Sequence, residues 1–158
     1  MDLIYIFIFV IIILLILILS LIVKREQLPY ELKESLLTKR ELKFFNVLRE
    51  VIKNYDFQVA IKPRMADFIH INSKKIKKNS YMTYFNKIKS KHIDFLICES
   101  TTLKPILGIE LDDESHKKKE RIERDNFVDS VYKKSGLKII HIYEYDYSSL
   151  REIIHSIS

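Results

Sequence analysis

The run from Leu3 to Val23 is built from Ile, Leu, Val, Phe and Tyr, interrupted by Ser20 alone, and no other feature of the sequence narrows the fold as much. At 1.5 Å per residue a helix of that length covers about 30 Å, the hydrocarbon thickness of a bilayer. A cleaved secretory signal has a basic start, a shorter apolar core and a small-x-small cleavage site. Here Asp2 precedes the run and no such site follows it, so a transmembrane helix is expected. Lys24 and Arg25 follow the run directly, whereas the other end offers only Asp2 and the amino terminus. The positive-inside bias then places the N-terminus outside and the rest of the chain in the cytoplasm, as a single-pass protein of the inner or plasma membrane.

Residues 24–37, with Pro29, read as a tether, and residues 38–158 as one soluble domain of roughly 120 residues, enough to bury a core without staples. The single cysteine, Cys98, excludes a disulfide framework and a zinc site with several thiolates. Two glycines, Gly108 and Gly136, are too few for the phosphate-cradling loops of nucleoside-triphosphate or dinucleotide sites. The net charge of +6 is uneven: Lys24 to His92 carries an excess of ten positive charges, and Ile93 to Ser158 an excess of three negative ones. The first half is suited to an anion, either a phosphate backbone or an anionic lipid.

Thr38 followed by Glu41 has the form of a capping box. Leu42, Phe45, Leu48, Val51 and Ile52 then recur at helical spacing, which predicts an amphipathic helix over 39–54. A short strand over 57–62 is closed by Pro63, 66–71 reads as a helical turn, and the lysine-rich 73–80 as an exposed loop. Strands over 93–98 and 105–111, joined by the polar turn 99–104, predict an antiparallel hairpin. A long helix over 117–135 presents Phe127, Val128, Val131 and Tyr132 as its apolar face, with Gly136 as its C-terminal cap. A last strand over 137–143 and a closing helix carrying Leu150, Ile153, Ile154 and Ile157 complete an α/β order of α, β, β, β, α, β with an insertion after the first strand.

Carboxylates are rare in buried strands, yet Asp94 stands in "HIDFLIC" and Glu110 and Asp112 in "PILGIELDD". Strand period two places Glu110 and Asp112 on one face, and a hairpin centred near Thr102 places residue 94 opposite residue 110. Carboxylates held so close share a proton or a divalent cation, and hard oxygen donors suit Mg²⁺ or Mn²⁺. The competing reading is a solvated strand end of Asp112, Asp113 and Glu114. His116 follows closely as a ligand, a proton shuttle or a bystander. Asp125 falls on or beside the packed face of the long helix, reaching the cluster or pairing with Arg121 or Arg124. Lys117, Lys118, Lys119, Arg121 and Arg124 crowd the start of that helix, where the dipole disfavours cations but a nucleic-acid phosphate favours them.

The run "KHIDFLICESTTLKPILGIELDDESHKKKERIERDNFVDSVYKKSGLKIIHI", with the opening "LLTKRELKFFNVL", resembles the family catalogued as domain of unknown function 2726, over about Leu36 to Tyr143. That family is similar to the restriction-endonuclease-like superfamily, with its PD-(D/E)xK motif, and to very-short-patch-repair-type endonucleases. The resemblance implies an αβββαβ core with a mixed central sheet, Asp94 and Glu110 as Mg²⁺ ligands and Asp112 at the last motif position. The motif's lysine is replaced there by Asp112 and its proline by Ile93; Lys117, Lys118 or Lys119 would have to reach in from the helix.

These readings converge on a membrane-anchored, metal-dependent nuclease acting on nucleic-acid phosphodiesters, DNA ahead of RNA, with Asp94, Glu110, Asp112 and His116 as its site. The alternatives are a catalytically inactive nucleic-acid-binding module of the same fold, and a protein that binds anionic lipid or a partner. Tethering in a plane raises effective concentration, so a homodimer belongs among the expected partners.

Overall fold

The computed structural model describes residues 3–22, 28–112 and 119–158, and of 21, 22 and 119–125 the backbone alone. The chain divides into two compact units, Met1–Leu36 and Leu37–Ser158. The first contains helix α1, Leu3–Ile22, whose Leu3–Ser20 window is long and apolar enough to cross a membrane and is not buried against protein. Ser20, its one polar residue, satisfies its hydroxyl on the Leu17 carbonyl at 2.7 Å, so it carries no unpaired donor into an apolar phase.

The second unit holds α2 (Lys39–Ile52), β1 (Phe57–Ile61), α3 (Met65–Phe68), a 3₁₀ turn at Ser73–Lys75, α4 (Tyr81–Ile88), β2 (Phe95–Glu99), β3 (Pro105–Leu111), α5 (Lys119–Ser135), β4 (Lys138–Ile142) and α6 (Tyr147–His155). The expected α, β, β, β, α, β order is present, with α3, the 3₁₀ turn and α4 as the insertion. Helix α4 is absent from the sequence reading although Tyr81, Tyr84, Phe85 and Ile88 recur at helical spacing; of these only Ile88 is buried. The capping box forms: Thr38 accepts from the Glu41 N–H and its own N–H donates to Glu41 Oε2 at 2.7 Å.

The four strands lie in the order β1-β2-β3-β4. β1–β2 and β2–β3 are antiparallel; β3–β4 is parallel, because α5 returns the chain to the starting end of the sheet before β4 begins. Period-two alternation sends side chains to two different layers. Phe95, Ile97, Leu107, Ile109 and Ile142 pack with Phe44, Leu48, Val51 and Ile52 of α2 and Leu150 and Ile154 of α6. Phe44 sits at the centre of this layer, with ring centroids 5.0 Å from Phe95 and 4.9 Å from Tyr145. Leu96 and Cys98 face the other way, toward Met65, Ile88, Ile93, Tyr132 and Leu137, with Phe127, Val128 and Val131 of α5 against them. The predicted apolar face of α5 is therefore the packed one.

Gly136 takes φ of 81°, the left-handed C-terminal cap expected of it. Gly108 has a different reason to be glycine: a Cβ there would overlap the Cδ1 atoms of both Ile139 and Ile93. Gly108→Ala is expected to lower stability by about 1–3 kcal/mol, the usual cost of overpacking a filled core, seen as a lower denaturant midpoint at unchanged slope. An unchanged midpoint would mean that the two isoleucines move aside freely.

Candidate active site

The ladders end in a row of ionisable residues. Ile61 pairs with Phe95, Phe95 with Ile109, and Glu110 with His141. One step further along the first two ladders sets Lys62 opposite Asp94 and Asp94 opposite Glu110, so Lys62, Asp94, Glu110 and His141 line up across all four strands. The Lys62 N–H donates to the Asp94 carbonyl at 2.9 Å, which shows that the first ladder runs on to this row. The hairpin register is the one expected from a centre near Thr102, with a bulge at Ile97/Cys98 absorbing the turn.

Asp94 does not lie inside a strand, as the sequence suggests; it occupies the bend before β2. From there Oδ2 accepts the Leu111 N–H at 2.9 Å, the carboxylate replacing a backbone acceptor at the ladder's end. Glu110, half-buried, is pushed up to about 8, first by burial and then by the charges of Asp94, Asp112 and Asp129; a hydrogen bond from the Asp94 backbone N–H opposes this and is outweighed. The expected crowding of Asp94, Glu110 and Asp112 is thus present, and in the absence of a cation Glu110 relieves it by keeping a proton.

Asp112 follows β3, where its N–H donates to the Ile142 carbonyl at 3.0 Å. Arg40, from the first turn of α2, donates to the Asp112 carbonyl at 2.9 Å and to the Tyr143 carbonyl at 2.6 Å, clamping the ends of β3 and β4 together. The Asp112 carboxylate lies 2.7 Å from His141 Nδ1, and His141 Nε2 lies 3.7 Å from Asp129 Oδ1 of α5. Among the described residues the histidine beside these carboxylates is His141, a residue singled out in the sequence only as part of an apolar strand. His116, the expected one, lies outside the described residues, as do Asp113, Glu114, Lys117 and Lys118. Lys119, Arg121, Arg124 and Asp125 stand on the first turns of α5, where only the backbone is described.

The row also contains a lysine that motif spacing does not reveal. Lys62 adopts φ of 49°, a left-handed conformation uncommon for a residue with a Cβ. Its Nζ lies 2.7 Å from Glu41 Oε1 and 4.0 Å from Asp94 Oδ1. Burial would raise the Glu41 carboxyl, but hydrogen bonds from Lys62 and Thr38 outweigh it and hold the group below its ordinary value. The carboxylate that caps α2 is thus also the one that steadies the lysine. Glu41 was legible as a cap; its second role depends on how α2 packs against the sheet.

Tyr132 of α5 is 1% exposed and its hydroxyl has no hydrogen-bond partner among the described residues. Burial, followed by the charges of Glu110, Asp129 and Asp94, drives its ionisation upward, so the phenol stays a neutral donor within the influence of these carboxylates. A buried hydroxyl without an acceptor calls for an explanation, and a group entering the cluster would supply one.

Among the described residues, no three His, Cys, Asp or Glu side chains converge as a ready-made metal cage. Mg²⁺ needs fewer, since it keeps several waters and is commonly held by one or two carboxylates. Asp94 and Glu110, the latter raised by burial first and by the neighbouring carboxylates next, fit that requirement. Asp112 is engaged with His141 instead.

The raised Glu110 pKa has a sign that can be tested. The unfolded carboxyl ionises near 4.5 and the folded one near 8. Between these values the unfolded chain has lost a proton that the folded chain keeps, so stability falls by about 1.4 kcal/mol per pH unit as pH rises through this window. Glu110→Gln stays neutral throughout. Without metal it is expected to be more stable than the parent by on the order of 2–4 kcal/mol at pH 8.5, and equal to it near pH 4, in denaturant titrations. Equal stability at both pH values would show that Glu110 is ionised at neutral pH.

The model of the family described as "Protein of unknown function (DUF2726)" matches residues 33–158. No curated protein and no solved structure matches the chain. The matched residues include the whole of the second compact unit and every residue of the row, and the chain belongs to the DUF2726 family of proteins of unknown function.

Proposed function

We propose that the chain is a membrane-anchored, metal-dependent nuclease with a restriction-endonuclease-like catalytic domain. The observation that carries this reading is the row itself. An ammonium group, two mutually repelling carboxylates and an imidazole meet at one end of a mixed sheet. Burial, and then the charges of Asp94 and Asp112, favour the protonated form of Glu110, a perturbation of the kind found at sites that receive a cation.

Asp94 and Glu110 would hold Mg²⁺ or Mn²⁺. Bound there, the cation supplies Lewis-acid polarisation of a phosphodiester and charge compensation for the oxygens that become negative. Lys62, steadied by Glu41, places a second positive charge beside Asp94 without occupying the last motif position, where Asp112 stands. Asp112 orients the His141 ring from one side and leaves Nε2 toward Asp129. The basic residues Lys117, Lys118, Lys119, Arg121 and Arg124 are assigned to the phosphate backbone of the substrate, DNA ahead of RNA. Helix α1 serves as the anchor, with the domain on the cytoplasmic side.

The test uses the full-length chain in detergent micelles, presented with single- and double-stranded DNA and RNA, with Mg²⁺, Mn²⁺ or chelator. Metal-dependent product supports the reading. Salt-sensitive binding with no product under any condition would overturn it in favour of an inactive nucleic-acid-binding module.

A further inference from the structure

Seven lysines, Lys74, Lys75, Lys77, Lys78, Lys87, Lys89 and Lys91, fall between Ser73 and Lys91 without a single Asp, Glu or Arg among them. In the same segment the first turn of α4 exposes three large side chains, Tyr81 by 45%, Met82 by 56% and Tyr84 by 46%. A soluble surface does not need that combination. We infer that this insertion, the 3₁₀ turn together with the start of α4, is a docking face for an anionic bilayer surface, on which the lysines meet lipid headgroups while Tyr81, Met82 and Tyr84 enter the headgroup–acyl boundary.

The chemistry favours lipid over nucleic acid as the occupant. A single strand would need open aromatic faces for base stacking. The Tyr81 ring is already stacked on Phe85, with centroids 6.1 Å apart and planes at 13°, and Lys87 covers the Tyr84 ring at 6.0 Å. One face of each ring is thus covered, and Met82, the most exposed of the three, offers a thioether chain with no stacking face at all. Tyrosine with its apolar body and polar tip is suited to the bilayer interface. Lysine as the sole cation points the same way: bidentate phosphate recognition favours arginine, whereas clustered lysines beside an anionic leaflet each contribute about 1 kcal/mol through the surface potential. The anchor makes even a weak face effective. Fourteen residues separate Ile22 from Leu37, at most about 50 Å of chain, so a bilayer holding α1 stays at high local concentration.

The sequence has no tryptophan, so Met82→Trp installs a unique fluorophore in the full chain. The variant is reconstituted into nanodiscs of zwitterionic lipid alone or with one-third anionic lipid, each with and without bromine-labelled acyl chains. Co-migration with the disc reports on the anchor separately from the face. The expected result is a blue-shifted emission, quenched by the brominated lipid, in anionic discs only, and lost when Lys74, Lys75, Lys77 and Lys78 are all changed to Glu. Emission that stays at the solvent-exposed wavelength in incorporated anionic discs overturns the inference. So does a shift abolished by excess single-stranded oligonucleotide but insensitive to lipid charge, which would assign the face to nucleic acid. None of these outcomes depends on whether the domain cleaves phosphodiesters.

Discussion

Glu110→Ala is expected to reduce metal-dependent cleavage by roughly 10³-fold or more, about 4 kcal/mol of barrier, while leaving salt-sensitive nucleic-acid binding intact. Glu110 lies between Asp94, in the bend before β2, on one side and His141 of β4 on the other. Its carboxylate is the one whose ionisation the metal-free site suppresses, to about 8. On the proposed reading a divalent cation would replace the proton, and without this carboxylate Asp94 alone would be left to hold it. The decisive measurement pairs a cleavage time course with Mn²⁺ titration by calorimetry. Loss of both activity and cation binding agrees with the assignment. Full activity in the variant would remove Glu110 from the site and, with it, the basis of the nuclease reading. The same change should make the metal-free protein more stable above neutral pH, a divergence between stability and activity typical of groups placed for chemistry.

Lys62→Met is the second variant with a large expected effect, a fall of about 10²- to 10³-fold in the cleavage rate with little change in cation affinity. That is the usual cost of removing one preorganised charge from a site where negative charge develops. Nζ stands 4.0 Å from Asp94 and is held by Glu41 at 2.7 Å. Glu41→Gln, which keeps the side-chain volume but weakens the hold on the lysine, should lower the rate by roughly 10-fold, within the range expected of supporting partners. Because Glu41 also caps α2, a circular dichroism spectrum and melting curve are needed to separate the two roles; a Thr38→Ala control removes the reciprocal cap without touching Lys62. If Lys62→Met cuts as well as the parent, the positive charge comes from elsewhere, and the lysines preceding α5 become the next ones to test.

Several elements were legible because their signals are local. Thr38 and Glu41 sit at the fixed spacing of a capping box, and the box forms. Gly136 follows an apolar helical face and takes the left-handed cap. The hairpin register, on which the adjacency of Asp94 and Glu110 depends, follows from the symmetry of two apolar runs around Thr102. Helix α4 was passed over because its spacing signal is short and is preceded by four lysines of strongly polar character. The apolar context of Asp94 predicts it within a strand over 93–98; its carboxylate instead takes the Leu111 N–H, and the strand begins two residues later, at Phe95.

The sequence by itself determined the apolar N-terminal helix, the alternation of α and β elements, the faces of the strands and the pair of opposed carboxylates. Each of these is encoded within a helical turn, a strand period or one hairpin, where neighbours in the chain are neighbours in space. Only the tertiary structure decided which other groups join that pair. Parallel pairing of β3 with β4 brings His141 beside Glu110 and against Asp112. Packing of α2 carries Glu41 to Lys62, and packing of α5 sets Asp129 near the imidazole and brings the buried Tyr132 hydroxyl within the field of the carboxylates. These partners are 12 to 31 residues apart along the chain, a separation over which no periodicity in the sequence specifies contact; burial of two apolar layers on either side of the sheet specifies it instead.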